Sequence, residues 1–223
     1  QTTHLSDALL IFSRFPRLGN VKTRLSPPLT SDQCFELHSS FLLDTLDRIA
    51  TVKAAHYLFL ADCSIHEIRQ FTQDHALEDN FSVFPQSGQD LGERMWNAYQ
   101  KVSKFSHHVL ILGADTPSVP LTYVKQAQVK LNQYPVVVGP VKDGGYYLLA
   151  LARPRKNLFE NIDWGTHSVL EQTLSKMSDR EYFLLPPWYD VDTPADLHQL
   201  KDDLENKFEG FPQRTFELLR KQT

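Results

Sequence analysis

One stretch constrains the fold of this chain more than any other: an apolar run that ends abruptly in a turn containing a carboxylate. Residues 109–112 are Val-Leu-Ile-Leu, and the sequence Gly-Ala-Asp-Thr-Pro follows, in which the acid is Asp115. A short apolar run bounded by turn residues is typical of a strand buried on both faces of an α/β sheet. Because such sheets bind ligands beyond the carboxyl ends of their strands, Asp115 either ligates Mg²⁺ or Mn²⁺ against nucleotide phosphates or simply forms the turn.

The size and composition of the chain predict one soluble globular domain. It has 223 residues, of which 41% are hydrophobic and 22% charged, and its net charge of -4 argues against a nucleic-acid partner. Cys34 and Cys63 form neither a disulfide framework nor a zinc pattern, which predicts a reducing, cytoplasmic environment. The apolar run at residues 8–12 is too short for a signal peptide or a membrane span.

A basic loop follows the first predicted strand, residues 8–13. Arg14, Lys22 and Arg24 lie in this loop together with Gly19. Cations and backbone N–H groups at the carboxyl end of a strand suit phosphate binding, and a glycine allows the backbone to approach the ligand closely. The spacing of Gly19 and Lys22 does not match a P-loop. We interpret the segment as a phosphate-binding loop, with a solvated basic turn as the alternative.

A second glycine-containing loop precedes a helix predicted at about residues 91–105. Asp90 is placed to cap that helix. One interpretation makes Gly88, Gly92 and Arg94 a wall of a nucleotide pocket. The other is a well-capped helix start with no part in binding. The residues alone do not separate the two interpretations.

Two apolar segments, residues 135–141 and 146–151, are joined by a very short connection that contains Asp143, Gly144 and Gly145. A parallel crossover needs a dozen or more residues, so these two strands must be antiparallel. The predicted sheet is therefore mixed. The connection is an ordinary turn sequence, but it also lies beyond the carboxyl end of a strand, where two glycines leave room for a substrate.

The next polar segment contains Trp164 and Thr166, ahead of a helix predicted at about residues 168–177. Thr166 is placed to cap that helix. Trp164 is interpreted as a core residue, with a pocket wall as the alternative. Taken alone, neither residue indicates a particular chemistry.

Two acids follow the last predicted strand, residues 182–185. Thr193 or Asp192 can cap the helix that comes next, whereas Asp190 has no such structural duty. Because Mg²⁺ usually takes one or two carboxylates together with phosphate oxygens and water, we expect Asp190 to face the same cleft as Asp115. We expect the carboxylate of Asp192 either in that cleft or at the helix N-terminus.

Six motifs in one order carry a resemblance to a known family. They are Arg14-x-Pro-x-x-Gly-x-x-Lys-Thr-Arg-Leu25, Asp90-Leu-Gly-Glu-Arg-Met95, Gly113-Ala-Asp-Thr-Pro117, Gly139-Pro-x-x-Asp-Gly-Gly-Tyr-Tyr147, Trp164-Gly-Thr166 and Asp190-Val-Asp-Thr-Pro-Ala-Asp-Leu197. Over residues 8–200 the chain resembles the small GT-A-type transferases known as radical-SAM/selenodomain-associated transferases or arsenosugar-biosynthesis glycosyltransferases. It is similar, more distantly, to 2-phospholactate guanylyltransferase and the molybdenum-cofactor guanylyltransferases. The chain departs from the family at Arg14, where a lysine is common.

The resemblance implies an α/β, GT-A-like three-layer sandwich with a mixed, mainly parallel sheet. It implies a nucleotide held by Mg²⁺ or Mn²⁺, with Asp115, Asp190 and Asp192 at the metal. The candidate residues fall into three further sets. The catalytic candidates are Asp115, Asp143 and Asp190; the nucleotide- and phosphate-binding candidates are Arg14, Gly19, Lys22, Arg24, Gly88 and Arg94; and the substrate-binding candidates are Gly144, Gly145, Trp164 and Thr166.

The sequence thus favours a metal-dependent transferase that joins a nucleotide donor to a small-molecule acceptor. Glycosyl transfer from an NDP-sugar is the first interpretation, nucleotidyl transfer from an NTP to a phosphorylated acceptor is the second, and a nucleotide-binding protein without turnover is the third. We predict a transferase domain over residues 1–205. Residues 206–223 are predicted to form a helical extension that packs on this domain or on a second subunit in a homodimer.

Overall fold

The structure, a computed structural model, describes residues 6–206 and 211–221. Within this part, seven strands form one sheet: β1 (Ala8–Arg14), β2 (Ala55–Ala61), β3 (Ser82–Pro85), β4 (Val109–Gly113), β5 (Val136–Pro140), β6 (Tyr146–Leu151) and β7 (Tyr182–Leu184). The α-helices are α1 (Ser31–Ala50), α2 (Ile65–Asp74), α3 (Leu91–Val102), α4 (Leu121–Lys130), α5 (Val169–Leu174), α6 (Pro194–Glu205) and α7 (Gln213–Lys221). No described helix is long and apolar enough to cross a membrane.

The sheet has the strand order β3-β2-β1-β4-β6-β5-β7. Strand β6 runs antiparallel to both of its neighbours, β4 and β5, and the other strand pairs are parallel. The short connection between β5 and β6 allows only this arrangement. The predicted mixed, mainly parallel sheet is therefore confirmed.

Helices cover both faces of the sheet, because the inner strands are apolar on both sides. In β1, Leu9 and Ile11 point into one cluster with α1, α2 and α4, whereas Leu10 and Phe12 point into a second cluster with α3. This alternation follows from the two-residue period of a strand. The result is three layers, helix on sheet on helix, and the edge at the carboxyl ends of β1, β4 and β5 is left open, where sheets of this kind bind ligands.

The C-terminal part of the described chain packs on the outside of α1. Helices α6 and α7 contribute Leu200 and Leu219 to a third apolar cluster, which also contains Leu37 and Phe41 of α1. The predicted extension over residues 206–223 is described only in part, since residues 207–210 and 222–223 lie outside the described chain. Its helix α7 lies against α1, which is the first of the two positions expected from the sequence.

Candidate functional site

A cavity of about 640 Å³ opens beyond the carboxyl ends of β1, β4 and β5. Ten of the candidate residues identified in the sequence line it, although they come from distant parts of the chain. They are Arg14, Lys22, Arg24, Asp115, Asp143, Gly145, Trp164, Thr166, Asp190 and Asp192. The expectation that Asp115 and Asp190 face one cleft agrees with this geometry.

Four other candidates lie outside the lining of this cavity. Gly19 lines a smaller neighbouring cavity of about 300 Å³, which shares Arg14 with the first. The Nε atom of Arg94 donates a hydrogen bond to the carbonyl of Gly88 at 3.2 Å, so these two residues stabilise the start of α3. A Cβ atom on Gly144 would lie 1.9 Å from the His167 carbonyl oxygen, so this glycine is required for close packing of the two loops.

Lys22 is held by carboxylates, whereas the sequence predicts it as a phosphate ligand. Its side chain is only 4% exposed, and Nζ lies 2.5 Å from Oδ1 of Asp115 and 3.0 Å from Oδ1 of Asp192. Nζ also donates to the carbonyl of Val191 at 2.8 Å. Burial opposes the charged form of Lys22, but the two carboxylates outweigh it and raise its pKa. The side chain of Lys22 therefore links the basic loop to the two segments that contain Asp115 and Asp192.

Asp115 is fixed at both its side chain and its backbone. Burial raises the pKa of Asp115, but the positive charge of Lys22 and contributions from His38 and Arg14 lower it more, so the net shift is downward. Its carbonyl accepts a hydrogen bond from Val191 N–H at 2.9 Å. Half of the carboxylate side chain remains exposed to the cavity. Asp115 is thus ionised at neutral pH and accessible to a ligand.

Asp190 has the opposite electrostatic environment. Burial, followed by the charges of Asp143, Asp192 and Asp115, raises its pKa to about 6. Within the described residues it takes part in no ion pair. An unneutralised carboxylate among other carboxylates is a position that a cation would stabilise.

Asp192 belongs to the cavity and does not cap α6. The N-cap of α6 is Thr193, whose hydroxyl accepts a hydrogen bond from the N–H of Asp196. The carboxylate of Asp192 instead bonds to Lys22. The two positions that the sequence left open for Asp192 are therefore resolved in favour of the cleft.

Sequence reasoning missed His38 and His167, which also line the cavity. His38 lies on the buried face of α1, and its Nε2 atom is 3.0 Å from the carbonyl oxygen of Arg14. Burial lowers its pKa, so the ring is neutral at pH 7. Nothing in the residues around His38 indicates a site, because only the packing of α1 against β1 brings it there. His167 directly follows Thr166 in a recognised motif and could have been included.

The carboxylates of the cavity fit a hard divalent cation chemically, because Mg²⁺ and Mn²⁺ prefer oxygen ligands. They do not form a closed ligand cluster. Among the described residues, the one group of three His, Cys, Asp or Glu side chains with all ligand atoms within 4.8 Å is Asp7, His107 and His108. In the cavity, the ammonium of Lys22 bridges Asp115 and Asp192. Asp143 and Asp190 are the carboxylates of the cavity that form no ion pair among the described residues.

The mixed sheet and the cavity beyond its strand ends define a GT-A-like α/β protein of the nucleotide-diphospho-sugar transferase fold. A crystal structure from Desulfovibrio desulfuricans G20, of a protein provisionally named a nucleotide-diphospho-sugar transferase, matches with a TM-score of 0.89 and 32% identity. The match covers 97% of this chain and 94% of that chain. The chain belongs to the DUF2064 family, described as uncharacterized proteins conserved in bacteria, and residues 45–166 match that family.

Two further proteins are more distantly similar. The 2-phospho-L-lactate guanylyltransferase of Methanocaldococcus infernus is 25% identical over 188 residues, which is 82% of this chain and 80% of that protein. Rv0371c of Mycobacterium tuberculosis H37Rv, whose structure is a complex with manganese, matches with a TM-score of 0.55 and 15% identity over 88% of this chain and 98% of that one. The second likeness shows the fold alone. The expected GT-A-like fold and the distant similarity to a guanylyltransferase are confirmed.

Proposed function

We propose that this protein is a metal-dependent transferase that uses a nucleotide donor, and that transfer takes place in the cavity beyond β1, β4 and β5. The observation that carries the proposal is the meeting of a basic loop with four carboxylates in one cavity, three of which are the proposed metal ligands. Arg14 and Arg24 supply positive charge, and Asp115, Asp190 and Asp192 supply oxygen ligands. A nucleoside diphosphate with its metal ion needs both kinds of group.

In this proposal Asp115 and Asp190 would hold Mg²⁺ or Mn²⁺, with Asp192 as a further ligand. When bound, the ion would neutralise negative charge on the diphosphate. The raised pKa of Asp190 supports the assignment, since it results from burial and then from neighbouring carboxylates, and a bound cation would offset both effects. The manganese bound by Rv0371c, a protein of the same fold, is consistent with it.

The remaining lining residues divide between donor and acceptor. Arg14 and Arg24 face the phosphates, while Lys22 positions Asp115 and Asp192 and does not bind phosphate itself. Asp143, Gly145, Trp164 and Thr166 line the wall on which the transferred group and its acceptor would lie. In that arrangement Asp143 orients substrate hydroxyls by accepting hydrogen bonds from them.

The four candidates outside the lining act indirectly in this proposal. Gly19 shapes the basic loop, and Gly144 lets the turn after β5 pack closely against the segment that contains Thr166. Gly88 and Arg94 stabilise the start of α3. Substitution of these residues would change the shape of the cavity more than its chemistry.

The first candidate reaction is glycosyl transfer from an NDP-sugar to a small-molecule acceptor. The 32% identical protein of the same fold, named provisionally for such a donor, supports it. The resemblance to radical-SAM-associated and arsenosugar-biosynthesis transferases also favours glycosyl transfer. That resemblance stays a prediction. Like the reaction itself, a cytoplasmic location is part of the proposal.

The second candidate is nucleotidyl transfer, in which a phosphate of the acceptor attacks the α-phosphate of an NTP. The guanylyltransferase that is 25% identical over 82% of this chain favours this reaction. The two reactions release different products. Glycosyl transfer releases a nucleoside diphosphate, and nucleotidyl transfer releases pyrophosphate.

Product analysis separates these reactions from each other and from a protein without turnover. The protein is incubated with Mn²⁺, a panel of small alcohol and phosphate acceptors, and either NDP-sugars or NTPs. We expect release of a nucleoside diphosphate from an NDP-sugar that depends on the acceptor and is absent in Asp190→Asn. Pyrophosphate release from an NTP would establish the second reaction. Tight nucleotide binding without either product would leave a binding protein as the function.

A further inference from the structure

A second group of metal-ligand side chains lies at the opposite end of the sheet from the candidate active site. Asp7 directly precedes β1, and His107 and His108 directly precede β4. Strands β1 and β4 are parallel neighbours, with Ala8 paired to Val109. The amino ends of the two strands therefore bring an acid and two imidazoles together from positions 100 residues apart in the chain.

The backbone fixes these three residues in place. The N–H of Ala8 donates to the carbonyl of His108 at 2.8 Å, and the N–H of His107 donates to the carbonyl of Ser6 at 3.0 Å. These bonds extend the pairing of β1 and β4 by one step beyond the strands. The ligand side chains therefore project from a rigid backbone, which lowers the entropy cost of binding an ion between them.

The distances between the donor atoms suit a small tetrahedral cation. Oδ1 of Asp7 lies 3.1 Å from Nδ1 of His108 and 3.8 Å from Nδ1 of His107. Bonds of about 2.0–2.1 Å to tetrahedral Zn²⁺ place neighbouring donor atoms about 3.3 Å apart. The side chain of His107 is 60% exposed, so a small rotation can bring its ring to that distance.

Two features set this group apart from an ordinary surface cluster. His108 is 5% exposed, and its Nδ1 atom is buried without an aligned hydrogen bond, although Oδ1 of Asp7 is close by. The other oxygen of Asp7, Oδ2, accepts a hydrogen bond from Nε2 of Gln128 at 2.9 Å. Gln128 thus orients the carboxylate so that Oδ1 faces the two rings, as outer partners of metal ligands do.

We propose that Asp7, His107 and His108 form a Zn²⁺ site that joins the amino ends of β1 and β4. Two imidazoles and one carboxylate suit Zn²⁺ better than Mg²⁺, which prefers oxygen ligands alone. Water completes the tetrahedron on the exposed side of His107. The site lies away from the cavity and has a stabilising role, so it does not depend on the proposed transferase function.

The test is a titration of the full, metal-stripped chain, without a histidine tag, with ZnCl₂ in a calorimeter. His107→Ala is the main variant, because the exposed ring can be removed without opening the core. The matched control is His198→Ala. His198 is also an exposed histidine beside an aspartate, and its Nε2 atom is 3.9 Å from Asp202.

We expect one equivalent of Zn²⁺ to bind the unchanged chain and the His198→Ala variant with equal affinity. In His107→Ala the affinity should fall at least about tenfold, and Asp7→Asn should show the same loss. Zinc should also raise the Tm of the unchanged chain but not of His107→Ala. Zinc binding that His107→Ala leaves unaltered, or no zinc binding at all, would overturn the proposal.

Discussion

At the scale of single residues, the candidate site contains two acids with opposite pKa shifts. The neighbouring ammonium of Lys22 lowers the pKa of Asp115, whereas burial and other carboxylates raise the pKa of Asp190 to about 6. Asp115 is thus an anion in the folded chain. A bound cation would stabilise the ionised form of Asp190 most. This difference is a property of the folded chain, because both acids follow strand ends and look alike in the sequence.

The raised pKa of Asp190 predicts a pH-dependent gain of stability in Asp190→Asn. An acid whose pKa rises on folding from 3.8 to about 6 binds protons more tightly in the native state, so its ionisation destabilises the protein as the pH rises through that window. We expect the variant to match the unchanged chain near pH 4 and to exceed it by about 1–2 kcal/mol above pH 7. This estimate lies below the full linkage value because water screens part of the interaction.

Urea unfolding at several pH values measures this difference. Asp79→Asn is the control for the removal of an exposed carboxylate outside the cavity. A constant difference between Asp190→Asn and the unchanged chain from pH 4 to pH 8 would contradict the electrostatic account of Asp190.

Lys22→Ala is expected to lower stability near neutral pH, because it leaves Asp115 and Asp192 facing each other without a counter-charge. Removing one partner of a buried pair costs about 3–5 kcal/mol, and the half-exposed side chain of Asp115 reduces this to about 1–3 kcal/mol. The pKa of Asp115 is lowered from 3.8 and that of Lys22 is raised from 10.5, so the loss should shrink as the pH falls below 3.8 or rises above 10.5.

Thermal unfolding across the pH range checks this profile, with Lys142→Ala as the control for removal of an exposed lysine near the cavity. If Lys22→Ala kept full stability but lost nucleotide affinity, Lys22 would be a phosphate ligand, as the sequence first indicated. The structure predicts the reverse, that Lys22→Ala lowers stability more than nucleotide affinity.

At the scale of elements, helix α1 supports the segment that carries Asp115. The guanidinium of Arg48, buried in α1, donates to the carbonyls of Pro117 and Val119, the latter at 2.5 Å. A guanidinium can reach two carbonyls at once, whereas an ammonium is a single point of charge. The position of the turn after β4 therefore depends on a residue about 70 positions earlier in the chain.

Arg48→Lys is expected to lose at least one of these two bonds and to leave a buried carbonyl unpaired. We expect a loss of about 1–3 kcal/mol in the free energy of unfolding. Asp115 should then bind metal less well, although the acid itself is intact. Chemical unfolding together with Mn²⁺ titration measures both effects, and Arg69→Lys on the exposed face of α2 is the control. Unchanged stability and metal affinity would show that the contacts of Arg48 do not position the turn.

The elements were more predictable than their contacts. Strand β4 and the turn at Asp115 follow from four apolar residues and a proline, and the antiparallel β6 follows from the length of one connection. Such features depend on residues close together in the chain. The ion pair of Lys22 with Asp192 joins residues 170 positions apart, and neither residue carries a local signal of that contact. The residues that line the cavity could therefore be selected from the sequence, while their charge pairing could not.

At the scale of the whole molecule, the two ends of the sheet have different chemistry. The carboxyl ends of the strands carry the cavity with its carboxylates and arginines, and the amino ends carry the two histidines with Asp7. The C-terminal helix α7 is held on α1, where the carboxylate of Asp44 accepts hydrogen bonds from the backbone N–H groups of Arg214 and Thr215 at 3.1 and 2.8 Å. A homodimer remains a prediction, which sedimentation of the purified chain would check.

The central claim is that the carboxylates of the cavity bind a nucleotide through a divalent metal. Calorimetric titration with a panel of nucleoside diphosphates, with and without Mn²⁺, tests it most directly. We expect binding only with Mn²⁺, and a loss of at least tenfold in affinity in Asp115→Asn, about 1.4 kcal/mol or more, while Asp79→Asn binds normally. Equal nucleotide affinity with and without the metal, or in Asp115→Asn and the unchanged chain, would contradict the account.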